Sequence, residues 1–289
     1  MQRRTFIKNA SLAGSGILLN SYLPSCKTAN ASKSINQNFG LQLYTLRDDM
    51  AKDPKGVLTQ VASFGYKQIE SFEGQKGMFW GMSNTEFKKF MDDLGMTMVA
   101  SHCDMNKDFE RKAAEAAAIG MSYLICPFIG PQKTLDDFKR YADMFNQKGE
   151  VCKNNGIRFA YHNHDYSFVT MDGQMGQDVM MQNTNKDTVD YEMDIYWVVT
   201  AGQKPEDWFA KYPDRFRLAH VKDRKKDAAA TDKNASVVVG TGSIDFASIL
   251  KDGAHHGVKH FIIEQEAYVG TTPLNAVKDN AAYMKTLKV

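Results

Sequence analysis

Five times along the chain a glycine closes an amphipathic stretch and is followed at once by a short apolar run: Gly65 (GYKQIE), Gly95 (GMTMVAS), Gly120 (GMSYLIC), Gly156 (GIRFAYH) and Gly257 (GVKHFIIE). A glycine in that place is how a helix stops in a left-handed residue, and the run behind it reads as a strand buried on both faces. Three further runs fit the same rhythm without the glycine, at 39–43 (FGLQL), 189–194 (VDYEMD) and 216–220 (FRLAH), which brings the strands to eight at intervals of roughly 30 residues. Alternation of this kind and length predicts an α/β chain folded as one (β/α)8 barrel, a TIM barrel, over residues 39–289.

Helical patterns fall where such a barrel needs them. They cover 54–63, 83–94 with Ser83 and Glu86 as a capping box, 106–119, 134–154, 205–212 and 245–255 with an acidic cap, while 166–185 holds room for a short helix. Two long loops, 73–82 and 224–241, belong to the face where barrel loops shape a pocket. Phe79 and Trp80 in the first of them read equally as a wall for a sugar or as an apolar plug. Gly240-Thr241-Gly242 lacks the third glycine of a nucleotide loop and reads as a tight turn.

Before the barrel, Arg3-Arg4-Thr5-Phe6-Ile7-Lys8 and the small, apolar stretch 10–19 look like a twin-arginine export signal over residues 1–31. Two processing readings stand: Leu23-Pro24-Ser25-Cys26 as a lipobox that would anchor a lipid at Cys26, or cleavage after Ala31. Either predicts an exported, periplasmic protein, with residues 32–38 as a tether. A formal charge of +2 without a long basic run argues against nucleic acid as a partner. Cys103, Cys126 and Cys152 sit in apolar settings without a CxxC spacing, which predicts buried free thiols and no thiolate zinc site. The sequence leaves open whether copies associate as a homo-oligomer.

A barrel collects its chemistry at the carboxyl ends of its strands. Counting inward positions from the glycines places His162 at the end of strand five, Asp194 at six, His220 at seven and Glu264 at eight. Four consecutive strands each offering an imidazole or carboxylate suit a divalent Mn, Zn, Co or Fe ion better than Mg or Ca. His164 and Glu266, two residues further on, are candidates for contact with substrate or for supporting the ligands. His102 at the end of strand three reads as a fifth ligand, a general base or a wall. Glu70, Gln42 and Arg47 are candidates for binding substrate hydroxyl or carbonyl groups. Lys222 reads as stabilising a substrate oxyanion or as a surface partner of Asp223, and Trp197 as a stacking platform for a sugar or as core.

The segments Tyr161-His162-Asn163-His164-Asp165, Glu192-Met193-Asp194-Ile195-Tyr196-Trp197, His220-Val221-Lys222-Asp223, Gly240 to Phe246 (GTGSIDF) and Ile263-Glu264-Gln265 resemble the motifs of the xylose isomerase-like barrel superfamily. That superfamily includes sugar phosphate isomerase/epimerases, ketose 3-epimerases, inosose dehydratases and the endonuclease IV group. In its ketose epimerases two metal-bound glutamates on strands five and eight form the acid/base pair; here strand five carries His162, so Glu264 alone is kept. The resemblance implies a metal-dependent sugar isomerase or epimerase that removes a proton next to the carbonyl of a keto sugar through an enediolate, with Glu264 or His102 as base and Lys222 or His164 at the oxyanion. Its alternatives are a β-elimination lyase or dehydratase acting on a 3-keto-glycoside or inosose-like substrate, and a non-catalytic sugar-binding lipoprotein. Seven histidines and a near-zero net charge speak against an endonuclease-like phosphodiesterase.

Overall fold

The computed structural model describes residues 35–289. The export segment and the first residues of the tether lie outside the described residues. At the far end of the tether, Ile35–Gln37 form one turn of 3-10 helix, and Ile35 packs against the core.

Eight parallel strands close a barrel. They are β1 (Gly40–Gln42), β2 (Gln68–Phe72), β3 (Thr97–His102), β4 (Tyr123–Cys126), β5 (Arg158–His162), β6 (Val189–Asp194), β7 (Phe216–Val221) and β8 (His260–Ile263), each hydrogen-bonded to its neighbours in sequence, with β8 closing on β1. The (β/α)8 expectation therefore holds strand by strand. All five of the glycines that announced it are left-handed, with φ between 67° and 101°. At Gly257 space agrees with conformation, because an added Cβ would sit 2.5 Å from Asp214 Oδ1.

Alternation along the strands divides two apolar cores. Phe159, Tyr161, Leu124, Ala219, Val221, Phe261 and Ile263 belong to the larger core, whereas Ala160, Ile125, Leu218 and Ile262, one position away, join Val99, Ala100 and Tyr123 in a separate cluster. The strand period of two makes that second cluster the filling of the barrel. His102, His162, Glu192, Asp194, His220 and Glu264 share its parity, so the same inward rows continue from apolar floor to polar mouth.

The helices obey their local signals. Helix Asn84–Asp93 has the Ser83/Glu86 capping box in full, and Leu135–Asn154 has a second one from Thr134 and Asp137. Asp245 caps Phe246–His255, and Pro54–Ser63 follows its capping residue Asp53. The helix after β3 starts at Phe109, three residues later than the pattern suggested, because Asp108 is left-handed at φ 47° and cannot continue a helix backwards. Helix Pro273–Thr286 had no sequence reading at all. Phe79 and Trp80 are buried, Trp80 Nε1 donating to Ser71 Oγ at 3.1 Å, so the loop after β2 is an apolar plug. The glycine turn at 240–242 is a turn: the amides of Gly240 and Gly242 both donate to Asp223 Oδ2 at 2.9 Å. Cys103, Cys126 and Cys152 are free and buried, with burial pushing their thiols up.

Candidate metal centre

The four residues picked from strand ends do converge. His162, Asp194, His220 and Glu264 are buried, and their ligand atoms lie within 4.8 Å of one another. His162 Nδ1 meets the carbonyl of Pro127 at 3.2 Å. A carbonyl only accepts, so Nδ1 carries the proton. Burial lowers the pKa of His162, which keeps the ring neutral and leaves Nε2 as a bare lone pair, 3.3 Å from Asp194 Oδ2. His220 repeats the arrangement. Its Nε2 is 2.7 Å from Glu70 Oε1 and holds a proton toward it, while Nδ1 faces Glu264 Oε2 at 3.3 Å and Asp194 Oδ2 at 3.8 Å.

His162 Nε2, Asp194 Oδ2 and His220 Nδ1 are all buried without a hydrogen-bond partner. Buried acceptors aimed at one another are costly unless something positive joins them. Their spacing is that of ligands around an ion: bonds of about 2.1 Å in a tetrahedron put neighbouring donors about 3.4 Å apart. Two carboxylates and two neutral imidazoles also balance a divalent charge. The residues therefore fit a metal ion, on the donor set alone. Without an ion the surrounding carboxylates hold the His220 pKa well above its usual value, so metal uptake would release a proton there.

Beneath this set lies a second one that was not anticipated. Glu70, His102, Glu192 and His220 also bring their ligand atoms together. Here the partners are donor to acceptor. Glu70 Oε1 accepts from Gln42 Nε2 at 2.7 Å and from His220 Nε2, and His102 Nε2 is 3.0 Å from Glu70 Oε1 and 2.9 Å from Glu192 Oε2. One oxygen of each carboxylate, Glu70 Oε2 and Glu192 Oε1, stays unpaired. The carboxylates raise His102 to about 9, while burial and the charge of Glu70 push Glu192 up to about 8. At neutral pH both hold protons, and Glu70, flanked by His102 and His220, is ionised well below the usual carboxylate range.

This layer revises several expectations. Gln42 and Glu70 were candidates for substrate contact; both are fully buried, Gln42 holding Glu70 and Glu70 holding His220, and neither lines the cavity. His102 does line it, and Glu70 and Glu192 raise it to about 9, which favours the protonated ring and a donor role. Lys222 is not on the surface with Asp223. It is buried and donates to Glu264 Oε2 at 3.1 Å and Glu266 Oε2 at 2.7 Å, which commits its ammonium to carboxylates. Glu192 was missed. It stands two residues before Asp194, on the same inward row, and the register irregularity between Tyr191 and Glu192 skips Arg217 on the neighbouring strand. A similar shift between Ile69 and Glu70 skips Val99. Bulges of this kind re-aim side chains next to functional sites, and nothing in the sequence marks them.

Above the set opens a cavity of about 560 Å³. His162 and Glu264 are the members of the set that line it, together with His102, His164, Trp197 and Glu266. His164 is kept neutral chiefly by burial, with neighbouring His162 adding to the effect. Trp197 is buried in the wall with its ring 5.2 Å from that of His164, so it serves core and cavity together. Arg47 does not line the cavity; its guanidinium lies 4.8 Å over the Tyr44 ring.

Residues 58–287 match the family model described as a xylose isomerase-like TIM barrel. Among solved structures, a sugar phosphate isomerase/epimerase from Parabacteroides distasonis ATCC 8503 superposes with a TM-score of 0.75 at 26% identity, covering 92% of this chain and 100% of that one. The IOLI protein, solved with a bound zinc atom, shares the fold with a TM-score of 0.70 at 13% identity over 86% of this chain and 98% of its own. An inosose dehydratase from Clostridium botulinum (strain Alaska E43 / Type E3) is 25% identical over 165 residues, 52% of this chain and 54% of that protein, so the chain spans about half the length of the curated relatives it matches. With the barrel closed strand by strand and the family model covering residues 58–287, the chain belongs to the xylose isomerase-like TIM barrel family.

Proposed function

We propose that this protein is a divalent-metal-dependent enzyme acting on a small keto sugar, and that its first chemical act is removal of the proton next to the carbonyl, as an isomerase or epimerase does. The observation that supports the reading is the convergence of three buried ligand atoms without hydrogen-bond partners, His162 Nε2, Asp194 Oδ2 and His220 Nδ1, beside Glu264 at the closed end of a cavity. Those four residues would hold the ion; Mn, Zn, Co or Fe suits their mixed nitrogen and oxygen donors, and the ion would supply polarisation of a carbonyl or adjacent hydroxyl.

The rest is work for the chain itself. Lys222 holds Glu264 ionised and in place, and Glu264 is the carboxylate on the cavity side of the set that would accept the proton. His102, protonated and exposed to the cavity, can donate to a developing oxyanion or to a departing oxygen. Neutral His164, in the same cavity lining, offers a further polar contact. A second reading is elimination, as in a lyase or dehydratase. It is favoured by the similarity to an inosose dehydratase and by a proton donor, His102, separate from the base.

The deciding experiment is proton NMR in D₂O on metal-loaded protein with glucosides and their 3-keto derivatives, beside a His220→Ala control. Deuterium at the carbon next to the carbonyl, with the glycosidic bond intact, is the expected result. Release of the aglycone with an unsaturated keto sugar would transfer the assignment to the lyase reading. Neither signal, in protein shown to hold metal, would overturn both.

A further inference from the structure

The cavity is built in two unlike halves. Every residue of the metal set comes from β5 to β8, whereas the lining at the ends of β1, β2 and β4 brings in three aromatic side chains, Tyr44, Phe72 and Phe128, beside the polar Glu73, Asp104 and Lys107. Among the described residues Tyr44 and Phe128 are the two aromatic side chains left substantially exposed, at 39% and 58%, and both line this one cavity. Exposed aromatic surface gathered in a concavity marks a binding surface more than chance does.

Both rings are braced from the side. Tyr44 meets Phe72 edge to face at 5.2 Å and has Arg47 over one of its faces, and Phe128 stands at 83° to His164 and at 86° to Tyr166. Rings fixed in this manner offer flat apolar platforms at little entropic cost. Charge in the same cavity points away from an anion. Of its acidic lining residues, Glu264 and Glu266 are paired with Lys222 and Glu73 with Lys112, which leaves Asp104 and Lys107 as the lining charges without such a partner on the aromatic side. No arginine lines the cavity among the described residues and Lys107 is its one lining lysine, so it holds no cation cluster to receive a phosphate. Size agrees: about 560 Å³ falls in the range of roughly 300–1,000 Å³ for pockets that enclose drug-sized ligands, and exceeds what one sugar ring needs.

We infer that the half of the cavity formed by β1 to β4 is a subsite for a flat apolar ring carried by an uncharged sugar. The substrate is then an aryl or similarly ring-bearing keto-glycoside, with the sugar carbonyl at the β5 to β8 end and the aglycone against Phe128 and Tyr44, and not a phosphorylated sugar. The inference rests on the keto-sugar reading above and narrows it.

Affinities for the 3-keto forms of phenyl and methyl β-glucoside and for glucose 6-phosphate, measured by stopped-flow tryptophan fluorescence on protein of known metal content, test it. The phenyl compound should bind about tenfold more tightly than the methyl one. Phe128→Ala should remove most of that advantage while moving the methyl compound less than twofold, with Tyr44→Ala as a second variant at the other exposed ring. Equal affinity for phenyl and methyl compounds, or tighter binding of glucose 6-phosphate that Lys107→Ala abolishes, would overturn the subsite and leave the keto-sugar chemistry open to its own test. Binding of neither keto-glucoside would bring down both.

Discussion

Two layers of imidazoles and carboxylates are stacked in the mouth of this barrel, equally buried and drawn from the same residue types, yet they are in opposite states. In the lower layer every ring nitrogen that meets a carboxylate can bring a proton to it: His102 Nε2 to Glu70 and Glu192, His220 Nε2 to Glu70. In the upper layer the His162 Nε2 lone pair meets Asp194, and His220 Nδ1, which must give up a proton before it can bind an ion, faces Glu264. The lower layer is held by its own protons, whereas the upper one, with Lys222 at its edge, gathers ligand atoms that could hold a cation. Composition cannot tell a ligand set from a hydrogen-bonded network; the placement of protons can. His220 joins the layers with one nitrogen in each.

The largest effect therefore belongs to His220→Ala, which breaks both layers at once. Metal content measured by elemental analysis should fall to background, since loss of a ligand exceeds the ~10–100-fold in affinity that follows loss of an outer partner. Removing the ion from unaltered protein with a chelator touches the upper layer alone. Where the ion stands at about 100 times its dissociation constant this costs about 2.7 kcal/mol, a drop of roughly 5–10 °C in melting temperature for a chain of this size. The metal-free variant should melt lower still. Equal melting temperatures for His220→Ala and for metal-free unaltered protein would mean that the lower layer contributes nothing, and the contrast between the layers would go.

Next in size is a pair of substitutions inside the lower layer. Glu70 is ionised and receives the proton of His220, so Glu70→Gln should loosen the ligand's orientation and basicity and weaken metal binding by about 10–100-fold. Glu192, pushed up to about 8, is already protonated at neutral pH, and glutamine copies its neutral form. Glu192→Gln should change metal affinity by less than about threefold when measured by competition with a chromophoric chelator at pH 7. If Glu192→Gln proves the more damaging of the two, Glu192 is a ligand and the layers are not distinct.

The legibility of these features in the sequence follows the same division. The barrel was readable because a helix that must stop and feed a strand has few ways to do so, and glycine at 65, 95, 120, 156 and 257 is the cheapest. The upper layer was readable because strand ends in a barrel point at one place. Helix Pro273–Thr286 was not, since its inward residues include Ala276, Asn280 and Ala281, too small or too polar to print an apolar stripe. Gln42, Glu70 and Glu192 were missed as a layer because Glu70 and Glu192 stand two residues before their strand ends, where apolar filling is expected, and the register shifts that aim those two leave no trace in residue type. Parity with Asp194 was the one available signal for Glu192.

The smallest expected effect is the one that separates the layers by sign. In the folded protein His102 is raised from 6.5 to about 9 and Glu192 from 4.5 to about 8, so between those values the folded chain binds protons that the unfolded chain has lost. Stability supplied by His102 is present in full below pH 6.5 and disappears as pH rises through about 9; that from Glu192 is complete below 4.5 and disappears through about 8. The lower layer thus weakens with rising pH. The upper layer strengthens, because ion binding requires the proton to leave His220. Metal-free protein should lose a few degrees of melting temperature between pH 7 and 9, and Glu192→Gln should flatten that slope, while metal affinity of the unaltered protein rises across the same interval. A melting temperature of the metal-free protein that climbs over this range would show that the protons sit elsewhere, and with them the reason for assigning the ion to the upper layer.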